Sequence, residues 1–205
     1  MTMLRHSLGA LLWLLLVAPA LAQTPPAGTP VRVRGTVEKL DGQTLLVKSR
    51  EGQPVSITLA PSYGVVYLVK KSISDIKPGD YVASAGVKGT DGKVHAVEVR
   101  IFPESLRGAG EGQYPWDLMP DSVMTNATVS GTGTSTDGQV LTVKYKGAES
   151  QYLVGQECPV FAYGQGDASL LKPGAAVFIV ANKGADGSLT AARITAEKDG
   201  IKPPM

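Results

Sequence analysis

The chain has 205 residues, 43% of them hydrophobic and 19% charged, which is enough apolar material for one large domain or two small ones. A net charge of +2 gives little drive toward nucleic-acid phosphates or anionic lipid, and one of the positive residues, Arg5, sits in the N-terminal leader. Aromatic residues make up only 6%, while 24 Gly and 14 Pro favour short strands and tight turns over helices.

The first 22 residues read as a targeting signal. Arg5 and His6 form a short basic segment, Leu8 to Val17 an apolar one, and Ala20-Leu21-Ala22 a small-residue cleavage site. Cleavage after Ala22 is expected, giving a periplasmic protein with no stable membrane insertion. Residues 23–30 read as a flexible tether of Pro and small residues.

From Val31 to Glu38 apolar and polar residues alternate with period two, the mark of a half-buried strand. Asp41-Gly42 makes a hairpin turn, and Thr44 to Ser49 returns. Val55 to Leu59 alternates again, Pro61 to Gly64 breaks the run, and Val65 to Val69 is a further short strand. Ser72 to Ile76 reads as one helical turn ended by Lys77-Pro78-Gly79. Tyr81 to Val87 and Val94 to Phe102 form a last hairpin.

The second half repeats this plan. At an offset of 96, Gly35-Thr36 matches Gly131-Thr132 and Asp41-Gly42-Gln43 matches Asp137-Gly138-Gln139. At 95, Lys77-Pro78-Gly79 matches Lys172-Pro173-Gly174 and Val99 matches Ile194. An ordered series of turn and core matches points to a tandem duplication. The expected fold is all-β: two tandem OB-like small β-barrels joined by an aromatic, Gly- and Pro-containing linker. The expected bounds are 31–103 for the first barrel, 104–126 for the linker, 127–198 for the second barrel and 199–205 for a loose tail. An SH3-like barrel is the rival geometry.

Gly35-Thr36-Val37 with Asp41-Gly42, then Lys77-Pro78-Gly79-Asp80-Tyr81-Val82, then a closing hairpin strand, resemble small β-barrel domains of unknown function in exported bacterial proteins. These are turn and core residues, so the resemblance implies a fold and no chemistry.

Gly108 to Val129 has no counterpart in the repeat. Tyr114 and Trp116 supply rigid aromatic surfaces, and Asp117 and Asn126 polar anchors; Met119 and Met124 add apolar contacts. These six residues are the candidate binding site. The alternative is that Trp116 packs into the seam between the barrels. Arg32, Arg34, Lys48 and Arg50 form a modest basic strip without aromatic sequence neighbours, so nucleic acid is not expected as a partner.

Cys158 is the only cysteine and reads as a small buried hydrophobe. His95 is the only histidine after the leader, and no metal-ligand spacing or nucleophile motif occurs, so no cofactor is expected. The expected function is non-catalytic: an exported binding or scaffold protein that meets a protein or small-molecule ligand at the inter-barrel surface. Two other readings compete, a periplasmic enzyme using Asp117 as acid or base and a metal-handling protein.

Overall fold

A computed structural model describes residues 28–204. The expected signal segment and most of the tether lie outside the described residues. The chain is all-β, with twelve strands and three single 3-10 turns among the described residues. The strands are β1 (Thr29–Asp41), β2 (Thr44–Ser49), β3 (Pro54–Lys71), β4 (Tyr81–Lys88), β5 (Val94–Ile101), β6 (Gly112–Pro115), β7 (Ser122–Ser135), β8 (Gly138–Tyr145), β9 (Ala148–Val154), β10 (Val160–Gly166), β11 (Ala176–Lys183) and β12 (Leu189–Ala196).

Five strands close into a barrel. β1 pairs with β2, β2 with β3, β3 with β12, β12 with β11, and β11 returns to β1. All these junctions are antiparallel except β3–β12. The alternation read along β1 places Val33 and Val37 inside, against Leu45, Val47, Ile57, Val177, Ile179 and Ile194. β7, β8, β9, β5 and β4 pair in a second ring, whose parallel β5–β9 junction is only two residue pairs long. Val82, Val99, Val129, Leu141, Val143 and Tyr152 fill it.

The strands are shared between the halves of the chain. The expected division at 31–103 and 127–198 does not match the pairing, because β11 and β12 close the first ring while β4 and β5 complete the second. β3 is the cause. The two short strands expected around Pro61 are one strand of 18 residues. At roughly 3.3 Å per residue it outreaches a single small barrel and carries the chain into the other ring. Pro61 is tolerated because the β3–β12 register skips there, between Leu59 and Gly64. Beyond the skip, β3 pairs antiparallel with β10, with Leu68 opposite Tyr163 at the middle of the ladder.

Each half then docks on the first strand of the other. The Val37 N–H donates to the Ala175 carbonyl at 2.9 Å, and the Gly174 N–H donates back to Val37 at 2.9 Å. The Val129 N–H donates to Asp80, and the Gly79 N–H to Val129, both at 2.8 Å. Val37 and Val129 therefore hold matching places, 92 positions apart. The match of Gly35-Thr36 to Gly131-Thr132 is four residues out of step, because the β7–β8 hairpin is longer than β1–β2. The expected helical turn forms at Ile73–Asp75, where Ser72 and Asp75 make a capping box. Ile73 and Ile76 pack into the second ring, and Leu170 and Leu171 into the first.

The tail expected to be loose is docked. Asp199 and Gly200 adopt positive φ in a tight turn, Lys198 bridges to Ile201, and Pro203 is buried. Cys158 packs against the second core, where burial, with the charge of Glu98 adding, pushes its thiol from an ordinary value near 9.0 up to about 11.

Because each ring needs strands from both halves, unfolding is expected as one transition. Leu45→Ala, in the first core, costs about 2–5 kcal/mol and lowers that transition as a whole. Separate circular-dichroism and Trp116-fluorescence midpoints would count against shared closure. The thiol supplies a pH test. Its native pKa is raised, so its contribution is fully present below the unfolded thiol's range and is lost as pH climbs from about 9 toward about 11. Cys158→Ala should flatten that segment of the stability profile, and an unchanged alkaline slope would contradict the burial of the thiol.

Candidate functional site

The segment expected to be a linker, 104–126, is an ordered hairpin packed across both rings. Its last five residues belong to β7, and β6 pairs with β7 so that Tyr114 faces Met124 and Gly112 faces Asn126. Gly110 has φ 61°, and a Cβ there would lie 2.9 Å from Asn126 Nδ2, so a close approach as well as backbone freedom requires glycine. At the tip, the Trp116 N–H donates to the Ser122 carbonyl at 2.8 Å, and the Ser122 hydroxyl lies 2.7 Å from the Met119 carbonyl oxygen. These bonds fix the direction in which Trp116 and Asp117 leave the backbone.

Trp116 sits half-buried in a cluster of rings and guanidiniums. It meets Tyr114 edge-on at 6.2 Å and Phe178 edge-on at 6.1 Å. Arg32 lies 4.2 Å above its ring, and Arg34 lies over both Trp116 and Phe178, at 5.3 Å and 4.7 Å. Arg100 approaches Phe178 at 5.7 Å. Strand geometry explains the order: Val31, Val33 and Gly35 face inward on β1, so Arg32 and Arg34 face out, beside Val180 and Phe178 on β11.

Asp117 neutralises the cleft side of this cluster. Its Oδ2 accepts from Arg34 Nη1 at 2.6 Å, while its Oδ1 is buried without a hydrogen bond, 3.8 Å from Arg32 Nη1. Arg34 Nε also donates to the Pro204 carbonyl at 3.2 Å, and burial draws the Arg34 pKa down against the pull of Asp117. Arg50 donates to Glu51 at 2.8 Å and reaches the Asp117 carbonyl oxygen at 3.4 Å. Arg32, Arg34, Arg50 and Asp117 line an open cleft of about 340 Å³ at the rim of the first barrel.

The inner end is the Glu98–Arg100 pair, both residues buried, with Arg100 also donating to the Tyr163 hydroxyl at 3.3 Å. Burial raises the Glu98 carboxyl, with Arg100 opposing it. Burial also works against the charge on Arg100, but Tyr163 and Glu98 outweigh it and hold its pKa above the usual value.

Of the six expected site residues, Tyr114, Trp116 and Asp117 come together. Met119 is exposed at the hairpin tip. Met124 is buried with Ala83 and Ala85 beneath Tyr114 and Trp116. Asn126 is buried and donates from Nδ2 to the Ala109 carbonyl at 2.9 Å, so both β7 residues support the hairpin and do not face the cleft. Arg32, Arg34 and Arg50 were legible as a basic strip, but their aromatic partners come from the hairpin and from β11. Phe178, Glu98 and Arg100 carry no sequence signal that links them to it. Among the described residues, no group of three or more His, Cys, Asp or Glu is placed to hold a metal.

No family model, curated protein or solved structure matched this chain.

Replacing Arg100 with Leu leaves Glu98 buried without its counter-charge and is expected to cost about 3–5 kcal/mol. That loss should shrink between about pH 8 and about pH 5, because a carboxyl raised by burial is relieved by taking up a proton. Denaturant midpoints of Arg100→Leu and the parent at the two pH values measure this, and a loss independent of pH would refute it.

Proposed function

We propose that this is an exported, non-catalytic binding or scaffold protein. In this reading, two OB-like barrels arose by tandem duplication and have exchanged their last two strands, and the inter-barrel hairpin forms the recognition surface. The order β1-β2-β3-β12-β11 with a parallel closure suits a five-stranded Greek-key barrel of the OB type. The matched docking of Val37 and Val129 onto the two Lys-Pro-Gly turns favours duplication. Arg5, the apolar run to Val17 and Ala20-Leu21-Ala22 favour export to the periplasm.

One observation carries the binding reading. The hairpin brings Asp117 into an open cleft and sets Trp116 behind it, against the cleft-lining Arg32, with Ser122 bracing the tip. A bare connection between two barrels does not require a rigid tip or a cleft-facing carboxylate. The partners of Asp117 are guanidiniums, which do not give up protons under ordinary conditions, so the cluster is suited to holding charge and not to moving protons.

The test uses the mature chain as an affinity bait in extract of its own export compartment, beside Trp116→Ala. The expected result is a partner that the parent retains and the variant loses by at least about tenfold, with the variant still folded by circular dichroism. Equal retention, or global unfolding of Trp116→Ala, would leave Trp116 as seam packing and overturn the reading.

A further inference from the structure

The two rings carry clefts in matching places, and the inter-barrel hairpin sends a carboxylate into each. In the first ring the cleft lies at the β2–β3 turn, with Ser49, Arg50 and Gln53 beside it and Asp117 entering from the hairpin. In the second, the β8–β9 turn lines a cleft of about 470 Å³ with Tyr145, Lys146 and Glu149, and Glu111 enters from the hairpin. There the Lys146 N–H donates to Glu111 Oε1 at 2.9 Å. β2 and β8 are the second strands of their rings, so Arg50 and Lys146 stand one residue past corresponding strands.

We infer that the first cleft binds a carboxylate-bearing ligand between Arg32 and Arg50, beside the chain's own Asp117. This deepens the binding reading above and rests on it. Three features carry it. First, donors are spare. The Arg32 guanidinium makes no hydrogen bond among the described residues, and the outer nitrogens of Arg50 reach the Asp117 carbonyl oxygen only at 3.4 and 3.5 Å. Second, the receptor is pre-arranged, since Trp116 holds the Arg32 guanidinium against its face and removes freedom that binding would otherwise have to freeze. Third, the charge balance is small. Arg32, Arg34 and Arg50 face Asp117 and Glu51, leaving one positive charge, which fits a single carboxylate better than a doubly charged phosphate. The hairpin carboxylates at both clefts already show the kind of group these rims accept.

Asp117 then acts as a resident competitor. Replacing it with Asn removes a like charge beside the incoming anion, so ligand affinity should rise.

Trp116 is the only tryptophan after the leader and reports on Arg32 directly. Its fluorescence is followed while the mature chain is titrated with acetate, a short end-blocked peptide carrying a single glutamate, and inorganic phosphate. Saturable binding of the carboxylates is expected, with phosphate weaker. Tighter acetate would mark a free small acid as the source, and tighter peptide an acidic segment of a partner. Arg32→Gln and Arg50→Gln should each weaken carboxylate binding by about tenfold, and Asp117→Asn should strengthen it by about threefold or more. Both arginines are solvent-accessible, so these variants should keep the parent melting temperature.

No saturable carboxylate response in the parent and in Asp117→Asn would overturn the inference, as would tighter binding of phosphate or indifference to Arg50→Gln. Its failure is distinguishable from failure of the binding reading. If the extract partner is still lost on Trp116→Ala while carboxylates do not bind, only the ligand class falls.

Discussion

Four backbone hydrogen bonds decide the architecture. Val37 exchanges a pair with Gly174 and Ala175, and Val129 exchanges a pair with Gly79 and Asp80. Each pair seats the Lys-Pro-Gly turn of one half at the middle of the opposite first strand. From there β4 and β11 run along their partners in the only register that keeps Val82 and Val177 inside. A slip of one residue would turn Arg34 into the core and Val33 out of it. The positive φ of both turn glycines, 96° at Gly79 and 91° at Gly174, permits the tight approach. The rings, the seam and the hairpin across it follow from this reciprocal docking.

The seam has a chemistry that neither ring supplies alone. β1 and β11 contribute Arg32, Arg34 and Phe178; β5 contributes Glu98 and Arg100; the hairpin contributes Trp116 and Asp117. Guanidiniums crowd the rings, and a carboxylate stands on either side of the cluster. The inner carboxylate is buried and fixes structure. The outer one is partly open to solvent and looks into a cleft, so the same cluster is closed on one side and accessible on the other. Burial works against the charge on Arg34 and outweighs the opposing contact with Asp117, a contact that couples the hairpin tip to the face of the barrel.

Much of this was legible from residue patterns, and the remainder was not for a physical reason. Period-two alternation located most strands, and Asp-Gly and Lys-Pro-Gly marked turns that exist. The all-β class followed from those alone. Which strand closes which ring was not legible, because periodicity says which face of a strand is buried and nothing about whose core receives it. Pro61 read as a break, yet the backbone continues through it where the ladder has no bond to lose. At the site, Tyr114, Trp116 and Asp117 stood out as an aromatic and acidic cluster in sequence. Phe178 could not, since it joins them only through its register opposite Arg34. Met124 read as an apolar contact and Asn126 as a polar anchor because they are close to Trp116 in sequence, but β7 is buried on both faces at this point and the hairpin covers them.

Leu68 and Tyr163 face each other at the centre of the β3–β10 ladder, 95 positions apart, the offset that relates the two Lys-Pro-Gly turns. In a dimer of identical halves, a residue at such a centre would meet its own copy, so any change would appear twice. A single continuous chain is released from that rule. Here one strand keeps an aliphatic residue for packing, while the other carries a phenol whose hydroxyl accepts from Arg100. Covalent continuity thus leaves the middle of this ladder a polarised joint, apolar on one flank and hydrogen-bonding on the other.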